Sequence, residues 1–320
     1  MAEAVPTDVQ PLGFGWRMPM HDEPIEELRR HIDEHMRELS PAFGSVWVAD
    51  HFHPGVPWLT PEDDNLEAFA TMVYLATKFP NYTVGSIVLG NDYRPPALLA
   101  RMGATLQALT GGRLILGMGS GWAKAEYDAF GYTFDVPSVR LARLAEAIQL
   151  VRRLWTEPSV TFHGEHYTLV DASCNPRPHP TPPILVGAGG RRLALRLVAE
   201  HADWWAPQSS TIEEYAELSK VLEEHCSAVG RNYGEIVRVF SISCVAIAET
   251  RKKAQALADR NPYVRTRPET AVIGEPDEVA EQLTSIAALG VSHLVIRFAD
   301  FPALHGAMLF CEQVVPALSS

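Results

Sequence analysis

The sequence predicts a single α/β domain, residues 1–320, folded as a TIM (β/α)8 barrel with insertion segments at the carboxyl ends of the strands. Three observations carry that expectation. Apolar runs of strand length alternate with longer segments of helical period, the pattern of a parallel sheet. Eight strand-and-helix pairs follow one another without an interdomain linker, and 320 residues suit one barrel. Polar groups and glycines recur at many strand ends, which a barrel gathers onto one face. A doubly wound open sheet, the alternative, would collect them at one switch point and open on GxGxxG, which the first strand does not do.

Leu12–Trp16 is the first strand, and the helix over Pro24–Leu39 places proline at an early helical position. Strand two, Ser45–Ala49, runs into Asp50-His51-Phe52-His53-Pro54. A helix over Leu66–Lys78 leads to strand three, Thr83–Leu89, and Pro95-Pro96 opens a helix to Leu109. Strand four, Arg113–Gly117, is a short buried run bounded by glycine, and Gly117, Gly119 and Gly121 alternate through its end. Glycine weakens a strand, so this spacing signals the close approach of a ligand or of a neighbouring segment; a tight turn with no ligand is the alternative.

The next helix has Leu141, Leu144, Ala145, Ile148, Val151 and Leu154 on one face. An insertion at about 155–182 follows, with two short strands about Gly164 and the proline-rich NPRPHPTPP. Ile184–Val186 is strand five, and Gly187-Ala188-Gly189-Gly190 opens a helix to His201. Strand six is Ala202–Ala206, before a helix over Ile212–Ala228. Strand seven, Ile236–Ile247, is long enough to overshoot the barrel, and a variable loop spans about 249–274. The helix Glu275–Leu289, strand eight Ser292–Phe298 and a last helix Leu304–Leu318 complete the count.

Composition narrows the function. Hydrophobic residues make up 47% and charged residues 21%, an ordinary globular balance, and no stretch reaches the length of a membrane span. The first residues lack the basic start and apolar core of a secretory signal, so a cytoplasmic protein is expected. The net charge of −12 repels phosphate backbones and argues against nucleic-acid binding. Cys174, Cys226, Cys244 and Cys311 are dispersed and read as reduced thiols. His163 and His166 have no third ligand near them, and no metal site is expected.

Several motifs in unbroken order then carry a resemblance. Ser45–Phe52, Asn91-Asp92-Tyr93-Arg94-Pro95-Pro96, the TGGRLILGMGSGW segment through Phe130-Gly131, and Pro183–Gly187 through Ala202-Asp203-Trp204-Trp205 resemble the luciferase-like oxidoreductases. The nearest likeness is to the branch that uses the deazaflavin coenzyme F420, while close relatives use FMN. The resemblance implies a homodimer whose flavin-like ring lies over the carboxyl ends of the strands. It also implies hydride transfer with a small organic substrate. A cofactor-binding protein of the same fold without catalysis, and an FMN-dependent monooxygenase, are the alternatives.

The same resemblance implies a non-proline cis peptide at Ser86-Ile87, supporting the ring from behind. Gly119, Ser120 and Trp122 would border the ring. His51 would take the substrate's hydroxyl proton, a role that suits imidazole. Since successive strand residues point to opposite faces, one of Asp50 and His51 contacts the cofactor while the other packs or caps. Gly187, Ala188, Gly189 and Gly190 followed by Arg191 would present backbone N–H groups to the phosphate of either cofactor. Sugar-phosphate dehydrogenases of the family carry a glutamate acid directly after the glycine motif, where this chain has Ser120, and relatives carry asparagine where it has Ala123. Glu126 matches a family glutamate, with an ion pair inside the loop as the plainer reading. Arg297 and Arg265-Thr266-Arg267 would meet an anionic substrate or the cofactor's acidic tail, and Trp58, Tyr93, Trp122 and Trp205 are candidate pocket aromatics.

Overall fold

The computed structural model describes residues 12–318 except 22, 53–59, 61 and 209. Among these, eight parallel strands form the barrel: β1 (Gly13–Arg17), β2 (Ser45–Val48), β3 (Thr83–Ser86), β4 (Leu114–Gly119), β5 (Ile184–Gly187), β6 (Trp204–Ala206), β7 (Val237–Ser241) and β8 (His293–Ile296). Each pairs with its neighbour in chain order. Gly13 opposite His293 joins β1 to β8 and closes the ring. The helices α1 (Ile25–Leu39), α2 (Ala68–Lys78), α3 (Pro96–Thr110), α4 (Pro137–Thr156), α5 (Ala194–His201), α6 (Ile212–Ala228) and α7 (Pro276–Ala287) follow successive strands. After β8 comes a segment that starts as helix at His305–Leu309, passes one π turn and ends at Val315–Leu318. The barrel expected from the alternation is the one observed.

Side-chain alternation sorts each strand into an outer and an inner set. Phe14, Trp16 and Met18 join the core beneath the helices, whereas Trp47, Ile115, Leu185, Val239 and Val295 pack together inside the ring. Trp47 takes the largest share of that interior, and the flanking strands yield to it. A Cβ at Gly15 would lie 2.2 Å from its Nε1, and one at Gly85 2.5 Å from its ring. The glycines are therefore fixed by packing with the indole. Below it, Trp47 Nε1 donates to Ser45 Oγ at 2.8 Å, and Ser45 Oγ lies 2.9 Å from Nε2 of the buried His293. Burial brings His293 down to about 4, so the ring is neutral.

Four expectations need correction. Strand three stops at Ser86, and the cis peptide is Ile87-Val88, one residue later than Ser86-Ile87; Leu89–Gly90 then pairs with Met118–Gly119. Strand seven divides. Val237–Ser241 stays in the barrel, and Val245–Ile247 pairs with Val272–Gly274 in a separate small sheet. The loop at 249–274 is not irregular, since it contains helices at Arg251–Arg260 and Pro262–Thr266. Helix α5 begins at Ala194, so the Gly187–Gly190 segment precedes it by a turn instead of opening it.

The insertion forms the expected pair of strands, Val160–His163 antiparallel to Thr168–Ala172. Its connecting turn is held by Glu146 of α4, whose carboxylate accepts the N–H groups of Glu165 (2.7 Å), His166 (3.0 Å) and Tyr167 (3.2 Å). All four cysteines are free thiols. No helix among the described residues is long and apolar enough to cross a membrane.

Candidate active site

The carboxyl ends of the strands open onto a cavity of about 540 Å³, within the usual size of a small-molecule site. Its apolar shelf is built first. Ser86, fully buried at the end of β3, places Oγ where it accepts from Gly117 N (3.0 Å) and donates to Gly117 O (2.9 Å). That clamp brings β3 and β4 so close that a Cβ at Gly117 would sit 1.9 Å from the Ser86 carbonyl oxygen. Ile87 and Val88 then bulge into the cavity lining, and Ser86 itself stands behind it. A Cβ at Gly119 would be 2.5 Å from Val88 Cγ2, and one at Gly187 2.9 Å from Val88. For these glycines the structure shows the close approach of neighbouring segments: Gly117 makes room for the Ser86 carbonyl, Gly119 for Val88, and Gly121, at positive φ, for the Tyr127 hydroxyl.

The proton-handling corner is built around Glu126, which is 1% exposed. Its Oε1 lies 2.8 Å from His51 Nδ1 and accepts Phe52 N–H at 2.9 Å, while Oε2 accepts the Tyr93 hydroxyl at 2.5 Å. A carboxylate that receives donors on both oxygens leaves His51 Nδ1 as an N–H donor. With Nδ1 as the donor, the lone pair of the neutral tautomer lies on Nε2, which has no hydrogen-bond partner among the described residues. Burial and the Glu126 carboxylate push the Tyr93 phenol well above its usual range, so it keeps its proton and donates. Trp122, half exposed at the mouth, meets the His51 ring edge-on at 5.4 Å.

Asp50 takes the other role foreseen for the pair. Both its oxygens are bound by Arg94, at 2.7 and 2.9 Å, and one also accepts Gly90 N–H at 2.9 Å. It borders the cavity, but its acceptors are committed to tying β2 to the segment after β3. Arg94 also pairs with Glu67, whose carboxylate caps α2 by accepting Ala70 N–H. Glu126 forms no ion pair inside its own loop among the described residues; its carboxylate reaches across to His51 instead.

The glycine turn after β5 is divided as well. Gly187, Ala188 and Gly189 line the cavity, and Gly190 and Arg191 do not. A Cβ at Gly189 would meet nothing within 4 Å, so the turn is open. Arg191 points outward, pairs with Glu217 and borders a shallow surface depression with Arg196 and His225. Ser120 lines the cavity, and its carbonyl accepts from Arg140 at 3.2 Å. Trp205 is fully buried outside the ring, stacked on Tyr215, and its neighbour Trp204 is the one that faces inward; Trp58 and His53 lie outside the described residues.

Across the mouth, Arg17, Ser241, Ser243, Tyr263 and Arg297 complete the lining, with the Arg297 guanidinium carbon 3.4 Å over the Tyr263 ring. Arg267 reaches the cavity but is already paired with Glu214 and Glu269, and Arg265 does not line it. Val88, Arg94, Arg17, Ser241 and Ser243 were missed by the motifs. Only Arg94 lay inside a segment that the motifs covered.

A model of the family described as luciferase-like monooxygenase matches residues 18–269. The chain belongs to that family. Among its relatives, an F420-dependent glucose-6-phosphate dehydrogenase from Kineococcus radiotolerans is 30% identical over 98% of this chain and 99% of its own. An enzyme of the same description from Amycolatopsis mediterranei is 29% identical over 86% of this chain and 90% of its own. Among solved structures, an F420-dependent secondary alcohol dehydrogenase bound to an F420–acetone adduct superposes with a TM-score of 0.84 at 20% identity, covering 97% of this chain and 99% of that one. At that identity the likeness speaks for the fold.

Proposed function

We propose that this protein is an oxidoreductase that transfers hydride between coenzyme F420 and a small organic substrate. The observation that carries the proposal is the single cavity in which His51, the Val88 shelf and the Gly189 turn converge, in a chain similar over its whole length to F420-dependent enzymes. The residues fit the cofactor. Ile87 and Val88 offer an apolar surface to one face of a flat ring, and the backbone N–H of Gly189, which has no hydrogen-bond partner among the described residues, suits a phosphate. When bound, F420 supplies or accepts the hydride.

The protein's part is positioning and proton handling. His51 Nε2 takes the hydroxyl proton as an alcohol is oxidised, or returns it in the reverse direction, while Glu126 holds the ring in the required tautomer. Tyr93 and Phe52 N–H hold Glu126 in turn. The Asp50–Arg94–Glu67 chain keeps the end of β2, and with it His51, in register with the shelf. Stopped-flow oxidation of reduced F420 against a panel of ketones, imines and enones tests the reading. Turnover with at least one member supports it, and stable cofactor binding without turnover across the panel would favour a non-catalytic carrier.

A further inference from the structure

Arg17 ends β1, Arg297 directly follows β8, Ser241 ends β7 and Ser243 lies two residues beyond. These strands are adjacent, and the register pairs Trp16 with Ile296 and Ser241 with Val295. Continued by one residue, it sets Arg17 beside Arg297. Four polar atoms on this wall, Arg17 Nε, Arg297 Nε, Ser241 Oγ and Ser243 Oγ, are buried with no hydrogen-bond partner, and all four residues line the cavity. Neither arginine forms an ion pair with a carboxylate among the described residues.

Such an arrangement is costly by itself. Like charges directly across neighbouring strands destabilise a sheet, and buried donors without acceptors forfeit their hydration. Burial and the nearby Arg297 bring the Arg17 guanidinium down to about 9, which reports the same crowding of positive charge. An anion relieves both penalties at once. Arg297 is further braced by Tyr263, whose ring face orients the guanidinium plane.

We propose that Arg17 and Arg297, with the hydroxyls of Ser241 and Ser243, form a subsite for an oxyanion substituent of the substrate, a carboxylate or a phosphate ester. The assignment to substrate rests on the cofactor reading above. In a closed ring of eight strands, the strand four places on lies across the mouth: β1 faces β5, β7 faces β3 and β8 faces β4. The glycine turn and Val88 shelf are therefore on the side opposite the arginines. The substrate is held between them, its oxyanion on the arginine wall and its reacting carbon toward the shelf and His51.

Calorimetric titration of the folded protein with sodium phosphate, and separately with sodium acetate, at low ionic strength tests the subsite. Wild type binds an oxyanion at this wall that remains in Gly189→Asp, and Arg17→Met and Arg297→Met each weaken it about tenfold to hundredfold. Gly189→Asp, which blocks only the cofactor's turn, leaves this affinity within about threefold. Tighter phosphate assigns a phosphate ester, and tighter acetate a carboxylate. Should a methionine variant misfold by circular dichroism, Arg17→Lys and Arg297→Lys keep the charge but remove the fork, and they too weaken binding. Absence of binding in wild type, or equal affinity in the folded variants, overturns the proposal. So does F420 affinity that falls in the arginine variants while phosphate and acetate bind as in wild type, since the wall would then serve the cofactor. Failure of the cofactor reading shows separately, as an absence of F420 binding.

Discussion

His51 Nδ1 and Glu126 Oε1, 75 residues apart in sequence, lie 2.8 Å apart beneath the cavity rim. On the proposed reading, the contact joins the group that moves a proton to the group that holds it in place. His51→Ala should slow single-turnover oxidation of reduced F420 by about 10²–10⁴-fold, as expected for loss of an acid–base group, with cofactor affinity changed only several-fold. Glu126→Gln keeps the shape but disturbs a carboxylate that receives three donors, and should slow the same step by about tenfold to hundredfold. A His51→Ala rate within about threefold of wild type would reduce His51 to a positioning residue.

Two glycines of the site should respond in opposite ways. Gly117→Ala places a methyl 1.9 Å from the Ser86 carbonyl, against backbone that cannot yield, so thermal unfolding should shift down by at least the ~1–3 kcal/mol typical of overpacking. Gly189→Asp meets no neighbour and should keep the wild-type melting temperature, while its charge in the phosphate turn lowers cofactor affinity by at least about tenfold. An unchanged dissociation constant for Gly189→Asp would move the phosphate elsewhere.

The floor of the barrel carries a pH signature. His293 ionises at about 4 when folded, below the 6.5 of an exposed imidazole. Above 6.5 both states are neutral and its effect is constant. As pH falls from 6.5 to 4 the unfolded chain takes up the proton first, so stability falls by about 1.4 kcal/mol per pH unit, roughly 3 kcal/mol in all, and levels off below. Chemical denaturation of wild type and His293→Asn across this window checks it: the variant's stability should vary less with pH. Parallel curves would assign the acid sensitivity to other groups.

The barrel was legible because alternation along strands such as Gly13–Arg17 and Ser45–Val48 is a local property of the chain. That the glycine turn after β5 and His51 would reach the cavity was legible because both lie inside motifs. The cis peptide came from the resemblance and was placed one residue early; Ser86 through Leu89 reads as one unbroken strand, with no mark of where pairing stops to correct it. Strand seven was read as continuous for the same reason: Ile242 and Val245 are equally apolar on either side of the point where the chain leaves the ring. Of the arginine wall the sequence pointed to Arg297 alone, as a candidate contact for an anion, and Arg17 carried no signal. Arg17 and Arg297 are 280 residues apart and become neighbours only when β1 pairs with β8.

The Val88 shelf and the Gly189 turn are read as the seat of F420, and direct titration tests that most plainly. The seven tryptophans, with Trp122 at the mouth, provide a fluorescence signal for parallel titrations with F420 and FMN. The account predicts that F420 binds the more tightly, with Gly189→Asp weakening the binding of both cofactors. Tighter binding of FMN, accompanied by oxygen-dependent turnover, would contradict it and identify a flavin monooxygenase.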